Sequence, residues 1–153
     1  MIIKQATKAI AASFTSVTLF WMVVMLLMNQ GIMAQTENIA ILVSQNSTLS
    51  KISEREIRRL FLGKSIKLPN GSRAALAIYE PLRTEFNTQA LKRSDAQVSA
   101  AWSRLKFSGR NREPLKFSNP TALLDFVATT PNAIAYGLSE HKRDDIRQIL
   151  TIP

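Results

Sequence analysis

Residues 1–34 decide where the remainder of the chain can fold. Lys4 and Lys8 precede an uncharged run over residues 9–28, densest in Leu19-Phe20-Trp21-Met22-Val23-Val24-Met25-Leu26-Leu27-Met28. Asn29-Gln30-Gly31 and Ile32-Met33-Ala34 follow. A basic start, a compact apolar core and a small residue at a cleavage point form the pattern of a secretory signal. The competing reading is a retained anchor, because the twenty residues 9–28 match what an apolar helix needs to cross a bilayer. Four Ser or Thr residues inside that run weaken the span, and the ten-residue core suits a signal better. Either way the lysines hold the N-terminus inside and residues 35–153 work outside the cytoplasm. That location argues against nucleic acid as a partner.

Residues 35–153 suffice for one modest domain. The leader holds Lys4 and Lys8 and no acid, which leaves 18 Lys+Arg against 11 Asp+Glu, a net charge of +7. Such a charge suits an anion, an anionic surface or an acidic partner, and equally a solvated basic surface. The chain has no cysteine, so neither disulfides nor thiolate chemistry is available.

Short apolar and periodic segments alternate beyond the leader. Ile39-Ala40-Ile41-Leu42-Val43 reads as a buried strand, and Ser44-Gln45-Asn46-Ser47-Thr48 as a polar loop. Ser53 and Glu56 form a capping box, with Ile52 and Ile57 placed for a hydrophobic staple. Ile57, Leu60 and Phe61 share a helix face, and Gly63 ends the helix. Residues 74–79 read as a second strand. Pro81 opens a helix over residues 82–91. Ser94 and Gln97 cap another helix, whose buried face is expected to be Val98, Ala101, Trp102 and Leu105. Asn119-Pro120 starts a helix carrying Leu123, Leu124, Phe126 and Val127. Residues 133–136 form a strand ended by Gly137, and residues 146–152 a last strand. The order β-α-β-α-α-α-β-β predicts an α/β sandwich.

Catalytic signals are poor. His141 is the only histidine, in the charged run Glu140-His141-Lys142-Arg143-Asp144-Asp145, and its spacing fits no metal-ligand pattern. No nucleophile elbow, phosphate loop or zinc-protease motif is present, so no catalytic, metal or cofactor site is expected. Arg104, Lys106, Arg110, Arg112 and Lys116 gather within thirteen residues, opposed only by Glu113. Arg110 and Arg112 fall in a loop, where guanidinium forks could hold a carboxylate, phosphate or sulfate; a plain basic surface is the alternative. Ser44 and Ser47 offer hydroxyls near a helix start, or ordinary turn chemistry. Trp102 and Phe107 are expected in the core.

Two stretches resemble the periplasmic phosphate-binding proteins of ABC transporters. Ile57-Arg58-Arg59-Leu60-Phe61-Leu62-Gly63-Lys64, followed by Pro69-Asn70-Gly71, is similar to that family's helix and turn. Pro131-Asn132-Ala133-Ile134-Ala135-Tyr136 is similar to its near-C-terminal Pro-Gly-Ala-Ile-Gly-Tyr strand. Arg83 and Phe86 match the helix that opens with Ser-Gly-Thr-Arg, and Trp102 with Phe107-Ser108-Gly109 matches shorter relatives. The resemblance implies a type 2 periplasmic-binding-protein fold, here as a single reduced lobe over residues 35–153, and oxyanion binding without catalysis. It implies Arg83, Ser44 and Ser47 as ligand contacts, phosphate or another small oxyanion as ligand, and a membrane permease or other envelope protein as partner. The chain departs from the pattern where Glu80-Pro81-Leu82 replaces Ser-Gly-Thr. Hydroxyl donors are lost there, Glu80 would repel an anion, and Pro81 has no N–H to give. Leu68 stands in place of a tryptophan and Ala135 in place of a glycine. A protein-interaction module that keeps this fold without a small ligand is the alternative.

Overall fold

A computed structural model describes residues 38–109 and 113–153. The signal-or-anchor segment and the pair Arg110 and Arg112 lie outside the described residues. Among the described residues no helix is long and apolar enough to cross a membrane.

The strands are β1 (Ile39–Ser44), β2 (Ala75–Tyr79), β3 (Leu115–Phe117), β4 (Ala133–Leu138) and β5 (Ile146–Ile152). The helices are α1 (Glu54–Phe61), α2 (Arg83–Gln89), α3 (Asp95–Phe107) and α4 (Pro120–Thr129). A short 3₁₀ turn, Glu80–Leu82, leads into α2. One mixed sheet has the order β3-β2-β4-β1-β5. β2 runs parallel to β3 and β4, while β1 runs antiparallel to β4 and β5.

Strand alternation splits the core into two layers. Ile39, Ile41 and Val43 of β1, with Ile134 and Tyr136 of β4, face α1 and α2 through Ile57, Leu60, Phe61 and Phe86. Ala40, Leu42, Ala77 and Ala135 face α4 through Leu123, Leu124 and Val127. The sheet is therefore covered on both sides, as the sandwich reading expects. Small residues on the α4 side let that helix sit close. Burying each of Ile57, Leu60 and Phe61 is worth roughly 1.5–3 kcal/mol.

Local capping follows the sequence. Ser53 Oγ accepts from the Glu56 N–H at 3.3 Å, and a Glu56 carboxylate oxygen accepts from the Ser53 N–H at 2.8 Å. Ser94 and Gln97 repeat the device at α3, and Asn119 caps α4.

Four expectations need correction. β3 had no strand signal in the sequence. Gly137 does not end β4 but lies within it, where a Cβ would press on Leu42 Cδ1 and on His141 Nδ1 at about 3.0 and 3.1 Å. Of the four residues expected to form the buried face of α3, only Trp102 is buried; Val98, Ala101 and Leu105 are half-buried. Phe107, expected in the core, is 91% exposed.

Candidate functional site

The carboxyl end of β2, with β3 and the residues just before it, carries the strongest constellation. Arg83 opens α2 just beyond β2, and a cleft forms between it, α3 and the sheet. Aromatic side chains build one side. Phe86 stacks on Tyr136 with ring centroids 3.8 Å apart, and Phe61 meets Phe86 edge-on at 5.0 Å. Trp102 closes the wall from α3 and donates its indole N–H to the Phe61 carbonyl at 2.9 Å. Burial pushes the Tyr136 phenol well above its usual range, with the Glu80 carboxylate adding to the effect. The cleft is small, about 40 Å³, which is room for about three waters.

Its charges are matched internally. Arg83 lies 3.4 Å from Asp95 and 3.8 Å from Glu80, and Lys116 lies 3.5 Å from Glu113. Asp95 also accepts from Asn87 Nδ2 and from Thr84 Oγ1, each at 2.8 Å. Those hydrogen bonds, Asn87 first and Thr84 second, together with Arg83, hold the Asp95 carboxyl below its ordinary value. One oxygen of Glu80 is buried without a hydrogen-bond partner. An anion entering this cleft meets one half-exposed guanidinium and two carboxylates already beside it.

The structure does not bring the predicted contacts together. Because β1 is antiparallel to β4 and β2 is parallel to it, the carboxyl ends of β2 and β4 lie beside the amino end of β1. Ser44 closes β1, so Ser44 and Ser47 sit at the opposite end of the sheet from Arg83. There Ser44 Oγ accepts from the Asn46 N–H at 3.3 Å and Ser47 Oγ from the Leu49 N–H at 3.2 Å. Arg147 tethers this loop by donating to the Ser47 and Leu49 carbonyls at 2.8 and 3.1 Å. Both serines thus do turn chemistry.

His141 lies in the β4–β5 connection. Its Nδ1 accepts from the Leu138 N–H at 3.3 Å, and its ring meets Tyr79 edge-on at 5.3 Å. Arg143 fastens the same segment to Asp125 and Asp145, at 2.7 and 2.6 Å. Among the described residues no group of three His, Asp or Glu could hold a metal ion.

No protein-family model and no curated protein sequence matches the chain. Solved structures do. A Clostridium perfringens structure described as a phosphate ABC transporter substrate-binding protein with bound phosphate matches at a TM-score of 0.58 and 13% identity, over 73% of this chain. An ABC-type phosphate transport receptor from Vibrio cholerae matches 76% of this chain at a TM-score of 0.47 and 12% identity. The chain has the fold of the first. It spans 44% and 50% of the lengths of these two proteins.

Proposed function

We propose that this chain is a non-catalytic, solute-binding-like protein of the periplasm that takes a small oxyanion, phosphate first among them, at the Arg83 cleft. The observation that carries the reading is a half-exposed guanidinium at the carboxyl end of β2 in a fold shared with a structure holding phosphate. The net charge of residues 35–153 supports it. An incoming phosphate would exchange for Glu80 and Asp95 as the partner of Arg83, using paired N–H donors. Calorimetric titration of the full-length chain in a non-ionic detergent, with phosphate, sulfate and chloride at matched ionic strength, tests the proposal. Saturable, phosphate-selective heat that weakens at least about tenfold in Arg83→Ala is expected, about 1.4 kcal/mol. Equal response to all three salts would defeat the oxyanion reading.

A second reading is a protein-docking module working beside a permease or another envelope protein. The observation favouring it is that both cations of the cleft already have carboxylate partners. Exposed Phe107 and Leu115 give such a module apolar contact points.

A further inference from the structure

Helix α3 has a second lined face, independent of the Arg83 cleft. Val98, Ser99 and Trp102 look into the cleft, whereas Gln97, Ala100, Ala101 and Arg104 line a groove against the end of α1. At 3.6 residues per turn these two sets point about 155° apart. The groove measures about 340 Å³ and is completed by Leu62, Lys64 and Arg93. Three cations, Lys64, Arg93 and Arg104, therefore line one depression, and among the described residues no carboxylate lines it. None of the three belongs to an ion pair among the described residues.

The groove is held in shape by local devices. Gly63 sits at φ +67°, and a Cβ there would run into Leu105 Cδ1 and crowd the Trp102 ring. Glycine thus allows α3 to close onto the turn that presents Lys64. Lys92 takes the left-handed conformation at φ 54°, and Arg93 follows it, with its N–H bonded to the Asn87 carbonyl at 3.0 Å. Gln97 Oε1 is consumed by the Ser94 N–H at 3.1 Å, so its amide Nε2 remains as a donor. Ala100 and Ala101 keep the floor open.

We propose that this groove binds a multiply charged phosphate compound, one with its charges on adjacent phosphate groups. Three cations and an amide donor without a carboxylate among them suit closely spaced anionic charge, and two of the cations carry guanidinium groups that fit phosphate oxygens, Arg93 with one Nη1 hydrogen already given to the Lys92 carbonyl at 3.0 Å. A singly charged phosphodiester, such as a lipid headgroup, would leave most of that charge unmet.

Inorganic tripolyphosphate is the probe, titrated calorimetrically into the full-length chain in a non-ionic detergent at fixed ionic strength. Saturable binding is expected. Lys64→Gln, Arg93→Gln and Arg104→Gln should each weaken it about three- to tenfold, and the triple variant at least about a hundredfold, with unchanged thermal midpoints certifying the fold. Arg93→Lys, which keeps the charge and loses the fork, should fall between wild type and Arg93→Gln. Lys142→Gln, which removes the same charge outside the groove lining, should change affinity less than about twofold. Absent saturable heat, an equal loss in Lys142→Gln, or equally tight binding of tetraglutamate or of glycerophosphoglycerol would overturn the proposal.

Discussion

The two sides of α3 handle positive charge in opposite ways. On the cleft side, Arg83 and Lys116 each have a carboxylate within 4 Å, and apolar rings fill most of the space. On the groove side, Lys64, Arg93 and Arg104 face a wider depression without an acid. An ion already paired must give up that partner before it can bind a ligand, so part of any new attraction is cancelled. Cations crowded together without partners repel one another, and an arriving anion relieves that repulsion as well as adding its own attraction. The difference teaches that the carboxylates within an arginine's reach count beside its position in the fold when anion binding is at issue.

The sharpest way to break the comparison is to remove the side chain that seats α3 against the rest of the fold. Trp102→Ala deletes the one buried side chain of α3 and its hydrogen bond to Phe61, and should cost about 3–5 kcal/mol in denaturant unfolding while weakening both sites. Gly63→Ala should be milder, about 1–3 kcal/mol, because it strains a left-handed turn and pushes α3 outward. Its signature is loss of tripolyphosphate binding with the cleft response retained. Glu80→Gln combined with Asp95→Asn should convert the cleft toward the groove's condition. Phosphate affinity at Arg83 should rise at least about tenfold, about 1.4 kcal/mol, while tripolyphosphate binding stays the same; no rise would mean that pairing is not what limits the cleft.

Acid probes the same contrast more gently. The folded-state pKa of Asp95 is lowered, so its contribution to stability is full above the ordinary aspartate pKa, about 3.9, and is lost as pH falls through the depressed folded value. Glu56, lowered mainly by the Ser53 N–H and then by its hydroxyl, acts in the same direction. Thermal midpoints should hold nearly level down to about pH 4 and decline below it, with a smaller decline in Asp95→Asn. Smallest of all, Arg104→Gln should leave stability within about 0.5 kcal/mol of wild type, since it removes an exposed cation without an ion-pair partner among the described residues.

The sequence made most elements legible because they rest on local rules. Capping boxes at Ser53 and Ser94 and the Asn119-Pro120 start marked three helices, and apolar runs marked β1, β4 and β5. β3 escaped because three residues with two of them exposed carry no alternation to read. Gly137 misled because its small size serves close packing inside a strand, not a turn. The site was far less legible. Periodicity identifies a strand but not its direction, so nothing in the residues told that Ser44 and Arg83 end up at opposite ends of the sheet. Glu80 beside Arg83 was visible as a departure from the family pattern, but Asp95 reaches Arg83 only through the fold. Lys64, Arg93 and Arg104 belong to three separate segments; Gly63-Lys64 stood out as a helix end and Arg104 as part of a basic cluster, but nothing in the residues joined them to each other or to Arg93.

The placement of β1 has a consequence for how such a chain is made. Its two hydrogen-bonding neighbours are β4 and β5, the last strands of the chain, so the first strand has no partner until residues near the C-terminus are present. Pairings this distant in sequence carry a large loop-closure cost and form late. A chain that emerges amino end first would therefore keep β1 without its neighbours until residues 133–152 were present.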